Sequence, residues 1–233
     1  PTQNRFQNLR VLAPGVTTES RVPPNSAWGL YAAGNITIGS GSPASLTSAV
    51  PVGSSGVLSV AGNAQLTAPT VECASLGVQA GLLSTTTLDF FSTATALVDL
   101  PQPDPAHVAF TNLTVQRPLR LTSGFVVPGN LTLNGTNGAL TINARTLSVG
   151  GALAMGGRLH MTQAADLVAV AGPIAWTGAS SNLTNGTLRG SSNFTVSTSG
   201  AFAPPGSHRM ELVGATTQIR TDYPATTGNR FHN

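Results

Sequence analysis

Apolar and polar residues alternate along most of the chain, and Gly or Pro interrupts nearly every window of about ten residues. An amphipathic helix needs apolar positions three and four apart over unbroken turns, so this period of two predicts strands. The clearest stretch runs from Asn112 to Thr162. There Leu113-Thr114-Val115, Leu119-Arg120-Leu121, Phe125-Val126-Val127, Leu131-Thr132-Leu133, Leu140-Thr141-Ile142, Leu147-Ser148-Val149, Leu153-Ala154-Met155 and Leu159-His160-Met161 each read as a short strand. Between them stand Ser123-Gly124, Pro128-Gly129-Asn130, Asn134-Gly135, Asn137-Gly138, Gly150-Gly151 and Gly156-Gly157, residues that turn a chain at low cost. The same grammar holds at Ile36-Thr37-Ile38, Val57-Leu58-Ser59-Val60, Val71 and Leu76-Gly77-Val78, and again at Leu167-Val168-Ala169-Val170, Ile174-Ala175-Trp176 and Phe194-Thr195-Val196.

Strands of three to five residues are too short for a long series of two-residue hairpins. Coils stacked on coils use them naturally. Strand starts at Leu113, Leu131, Leu147 and Leu167 recur at roughly 16 to 21 residues, the span of one coil of two or three strands. The expected fold is all-β, a right-handed parallel β-helix (β-solenoid), the hand following the rule for parallel connections. Inward Leu, Val, Ile and Ala would form ladders, and outward Thr and Ser a polar surface.

A longer repeat overlies the coils. Phe6-Gln7-Asn8-Leu9-Arg10-Val11 recurs as Phe110-Thr111-Asn112-Leu113-Thr114-Val115, and Phe231-His232-Asn233 opens the phrase again. Each full copy is followed, after a variable loop, by a second matched phrase: Gly34-Asn35-Ile36-Thr37-Ile38, then Gly129-Asn130-Leu131-Thr132-Leu133. The expected organisation is a first unit over 1–105, a second over 106–230 and the start of a third at 231–233, with Pro101-Gln102-Pro103-Asp104-Pro105 as the connection.

Composition narrows the function. Hydrophobic residues make up 40% of the chain and charged residues only 8%, which argues against disorder despite the abundant Gly, Pro and Ser. The net charge of +3 comes from scattered Arg, with no basic stripe of the kind nucleic acid requires. No apolar run is long enough for a membrane helix. The single cysteine, Cys73, excludes an intrachain disulfide framework and reads as a buried thiol.

Seven Asn-x-Ser/Thr sequons stand at Asn35, Asn112, Asn130, Asn134, Asn182, Asn185 and Asn193. They are glycosylation acceptors in form, but Asn at corners with Thr outward on strands writes the same triplet without a glycan. His107, His160, His208 and His232 share no metal-ligand spacing; His160 and Asp166 would meet only if a coil joined them. Asp89, Asp99 and Asp104 read as turn formers near the Pro-rich connection, and Glu19, Glu72 and Glu211 stand alone. No nucleophile elbow or phosphate-binding Gly loop is present, so no catalytic residue, metal site or cofactor is expected. Trp28, Trp176, Tyr31 and Tyr223 offer little for stacking on sugars.

From Asn130 to Met155 the phrases Asn-Leu-Thr-Leu, Leu-Ser-Val-Gly-Gly and Leu-Ala-Met-Gly-Gly resemble the solenoid repeats of filamentous-haemagglutinin-like and autotransporter-like bacterial surface proteins. From Leu159 to Leu212, Asn185-Gly186-Thr187-Leu188 and Gly206-Ser207-His208-Arg209 look like repeats of very large secreted bacterial proteins. The resemblance implies an extracellular or cell-surface protein with a structural or adhesive role, not an enzyme, whose partners are neighbouring repeats or subunits, glycans or cell surfaces. The alternative is a carbohydrate-binding or carbohydrate-degrading β-helix, which would carry a groove with clustered aromatics and acids.

Overall fold

The computed structural model describes residues 5–18, 29–41, 43–92, 94–178, 181–197, 202 and 206–222. All regular elements among them are strands, and the strands stack in parallel as a β-solenoid. The chain forms two compact units, Pro1–Ser92 with Pro103–Thr111, and Thr93–Gln102 with Asn112–Asn233. The division thus falls after Thr111, and part of the Pro-rich connection goes to each unit. The third opening phrase at 231–233 lies outside the described residues, as do Glu19, Trp28, Tyr223 and His232.

The second unit has three parallel sheets. In one, Asn112–Gln116, Leu131–Leu133, Leu153–Met155, Ile174–Trp176, Phe194–Val196 and Ile219–Thr221 lie side by side. Their inward column runs Leu113, Leu131, Leu153, Ile174 and Phe194 in direct register. A second sheet stacks Leu119, Leu140 and Leu159, and a third stacks Phe125, Leu147, Val168 and Leu188. All of these side chains are buried, and the column positions between them point outward, so the period of two in the sequence is the inside-outside alternation of the coil wall. Trp176, Phe194 and Phe202 meet inside the later coils, with ring centroids 5.0 to 6.3 Å apart. Trp176 is therefore a core residue and offers no surface to a sugar.

Successive coils are longer and less uniform than the sequence spacing suggests. Corner contacts between equivalent positions link residues 18, 22 and 25 apart in the second unit. Leu131 does follow Leu113 by one coil, but Leu147 sits on a different sheet, opposite Phe125. The series Leu113, Leu131, Leu147, Leu167 thus mixes two walls of the coil.

The first unit departs further. Its early strands are short, but Val52–Val60, Ala64–Val78 and Leu82–Phe91 run for 9, 15 and 10 residues. Each of these long strands passes around a corner while still paired. Where Val52–Val60 pairs with Ala64–Val78 the bend comes with a register shift between Ser54 and Val57, and the fully buried Ser54 hydroxyl donates to the Gly34 carbonyl at 2.7 Å. Inward columns such as Leu46, Leu66, Leu83 and Val108 continue unbroken. Cys73 is a fully buried thiol, not in a disulfide, stacked between Ser54 and Phe90.

Candidate functional site

Four of the seven sequon asparagines share one position, at the start of a strand: Asn112 opens its strand, and Asn35, Asn130 and Asn193 stand immediately before theirs. In the first unit the Asn35 N–H donates to the Oδ1 of Asn8 at 2.8 Å, and the Oδ1 of Asn35 accepts the Val57 N–H at 2.9 Å. In the second, the Asn130 N–H donates to Asn112 Oδ1 and the Ala152 N–H to Asn130 Oδ1, at 2.9 and 2.8 Å. Asn193 does the same for Gln218 at 3.1 Å. Each amide thus fills a backbone position that the corner leaves open, as an Asn side chain does in a turn. The matched phrases of the sequence are this device: Leu9 pairs with Ile36 and Leu113 with Leu131, so each opening phrase lies directly beneath its Gly-Asn partner.

The remaining sequons differ. Asn185 uses its Nδ2, the atom a glycan would occupy, to donate to the Thr162 carbonyl at 3.2 Å. Asn134 is exposed, and Asn182 is exposed beside His160 in the parallel register.

Among the described residues no group of three His, Cys, Asp or Glu could hold a metal ion. Asp166 is buried, and its two oxygens accept the N–H groups of Ala144, Thr162 and Gln163, so it does not serve His160. Burial, together with the neighbouring Arg158, lowers the His160 pKa. Burial also lowers that of His208, against a raising contribution from the Asn185 carbonyl that its Nδ1 meets at 3.1 Å. His107 contacts the Gly81 carbonyl at 3.0 Å.

Asp104 forms the expected turn, accepting the Ala106 N–H at 2.9 Å. Asp99 instead lies in a strand and pairs with Arg120 at 2.6 Å. Asp89 also lies in a strand, where register places it beside Glu72, whose Oε1 accepts the Tyr31 hydroxyl at 3.1 Å. Glu72 is therefore not alone. Glu211 accepts from Arg189 at 2.7 Å and Arg209 at 3.0 Å; the bond to Arg189 holds its pKa down.

A hydroxyl-lined recess that could receive a ligand lies on the first unit. Thr17, Thr47, Thr67 and Ser84 stand in one outward column on four adjacent parallel strands, spaced at about 4.8 Å. Next to this column a cleft of about 460 Å³ opens, lined by Thr67, Pro69, Ser84, Thr86, Phe110 and Thr111 among others. Pro69 sits inside the longest strand and has no N–H for the ladder, so pairing skips from Ala68–Thr85 to Thr70–Thr87. Thr85 turns inward there, donating to the Thr87 carbonyl at 2.9 Å, while Thr86 points out. The Thr111 N–H donates to the Thr86 carbonyl at 3.1 Å and brings the half-buried Phe110 to the wall. Sequence reasoning missed this cleft because its residues come from four separated segments, none of which carries a motif. No protein-family model matches the chain, and comparison with curated proteins and with solved structures found no match.

Proposed function

We propose that this chain is a structural or adhesive segment of an extracellular bacterial surface or filament protein, assembling through stacked β-coils. The observation that carries the reading is the recurrence of one coil-to-coil interface, in which an aliphatic ladder, a parallel strand pair and an Asn corner are repeated from coil to coil. Stability in such a stack is a sum of neighbour terms, so a further coil of the same kind adds the same bonds. Among the described residues, Leu9–Val11 pairs on one side only, with Ile36–Ile38. Leu9 and Val11 direct their backbone groups to that neighbour, and by the alternation of a parallel strand Arg10 directs its own away from it.

The test is sedimentation velocity and electron microscopy across a concentration series, on the chain and on Arg10→Pro. Pro removes the outward N–H and should shorten or abolish assembly. Linear particles from the parent chain, lost in the variant, are the expected result. A chain that stays monomeric at every concentration would overturn the self-assembling reading.

A further inference from the structure

We infer that the cleft around Pro69 and Phe110 in the first unit is a binding site for a neutral, extended saccharide. The inference rests on the adhesive side of the function proposed above and names the chemistry of that adhesion.

The cleft is shallow, more open than enclosed, and its volume of about 460 Å³ falls within the size range of small-ligand sites. Its walls combine hydroxyls with two apolar surfaces, the ring of Phe110 and the ring of Pro69. Thr67, Ser84, Thr86 and Thr111 each supply a group that donates one hydrogen bond and accepts two, the pattern that matches the alternating donors and acceptors of a polyol. Thr86, Ser84 and Thr111 are exposed and Thr67 is half-buried, so these hydroxyls face the space and not the core. A pyranose presents hydroxyls at its rim and C–H groups on its face, and the half-buried Phe110 places an aromatic ring in the lining for the latter.

Charge selects among saccharides. None of the cleft residues is ionisable, so nothing there compensates the carboxylate of a uronic acid or a sulfate ester, and burying either would be costly. A neutral sugar meets no such penalty. Geometry selects the chain form. The column Thr47, Thr67, Ser84 repeats at the coil rise of about 4.8 Å, close to the length of one sugar in an extended β-1,4-linked chain. Successive sugars running along the stack would therefore meet Thr67 and Ser84 in the cleft and Thr47 beyond it, while the column continues past Ser84 as Ala109.

The test is isothermal titration of the full chain with cellohexaose, chitohexaose and, as an acidic control, a hexamer of galacturonic acid. Binding of at least one neutral hexamer, weaker by tenfold or more for the acidic one, is the expected result. Phe110→Ala should weaken it at least tenfold. Because loss of Phe110 could disturb folding, Thr86→Arg serves as the second variant: its side chain points outward and its backbone contact with Thr111 is retained, so it fills the cleft while leaving the fold intact. Circular dichroism and the melting temperature of Thr86→Arg should match the parent while binding is lost. No heat with either neutral hexamer at millimolar concentration, preference for the acidic one, or full binding by Thr86→Arg would overturn the proposal. Sedimentation of the same samples separates the two claims, since assembly without sugar binding removes this site and leaves the structural reading intact.

Discussion

The Oδ1 of Asn130 accepts the backbone N–H of Ala152 at 2.8 Å, while the Asn130 N–H donates to Asn112 in the coil before. One residue thus bonds to the coils on both sides, and side chain and main chain carry the link in the same direction. Asn130→Ala would leave the Ala152 N–H without its protein partner and should lower unfolding free energy by about 1 kcal/mol, since part of the lost bond is recovered by water at this exposed corner. Asn130→Asp keeps an acceptor oxygen and should lose less. Both substitutions abolish the Asn130 sequon, so equal losses in the two variants, measured by denaturant titration, would show that the corner bond is not the source of the effect.

The residue stacked over that amide has to be small. A methyl group at Gly151 would overlap the Asn130 Oδ1 and come within 2.8 Å of the Gly129 carbonyl carbon, which is backbone and cannot swing aside. Gly151→Ala should destabilise by about 1 to 3 kcal/mol, the range of overpacking in well-filled sites. Gly77→Ala is the control, because a methyl there meets only the Ser59 hydroxyl at an ordinary 3.7 Å. It should fall within about 0.5 kcal/mol of the parent. Thermal melts of the pair measure the difference.

Asp166 gathers three backbone N–H groups at a corner where Asn143 and Ala144 both adopt left-handed φ, 59° and 58°. For Ala144 that conformation is costly, and the carboxylate holds it in place. Asp166→Ala removes the acceptor of three part-buried backbone N–H groups that water only partly replaces, and should cost about 2 kcal/mol. Asp166→Asn retains one acceptor oxygen and should fall between the two. Hydrogen exchange should locate the loosening at residues 143–144 and 162–163, and a uniform loss of protection along the chain would contradict this local account.

Stability should also fall in mild acid. Burial lowers the pKa of His208 and, with Arg158, that of His160, whereas in the unfolded chain both titrate near the ordinary value of about 6.5. The unfolded state then binds more protons, so the stabilisation is complete above about pH 6.5 and declines as pH drops toward the lowered folded values. Glu211, held down by Arg189, acts in the same direction only below the ordinary carboxylate range. Melting temperatures at about pH 7.5 and about pH 5.5 should therefore differ, and the gap should shrink in His208→Gln. A gap of unchanged size would exclude His208 as its origin.

Legibility in the sequence followed locality. Leu113-Thr114-Val115 and Leu131-Thr132-Leu133 announce strands because inside-outside alternation has the period of two residues, and a reader needs only neighbours to see it. The Asn of the repeated phrases was visible as a motif, but read as a sequon it concealed a backbone acceptor whose donor lies 22 residues further on. Of the long paired strand Ala64–Val78 the sequence showed pieces at Val71 and Leu76-Gly77-Val78 but not their continuity, because Pro69 ends a strand by local rules and is tolerated here at a corner where the ladder skips one step.

The sequence by itself determined the all-β class, the stacking of coils, the inward residues and the corner residues, since each depends on local alternation and turn chemistry. Only the tertiary structure decided which outward residues share a column. Glu72 meets Asp89, and Thr67 meets Ser84, because of the length of the intervening corners. Those lengths vary from coil to coil, with equivalent positions 27 and then 22 residues apart in the first unit. A one-residue change in a corner would move every side chain of the next strand to the opposite face. Register across coils is therefore a global quantity, and the cleft at Phe110, assembled from four segments, depends on it.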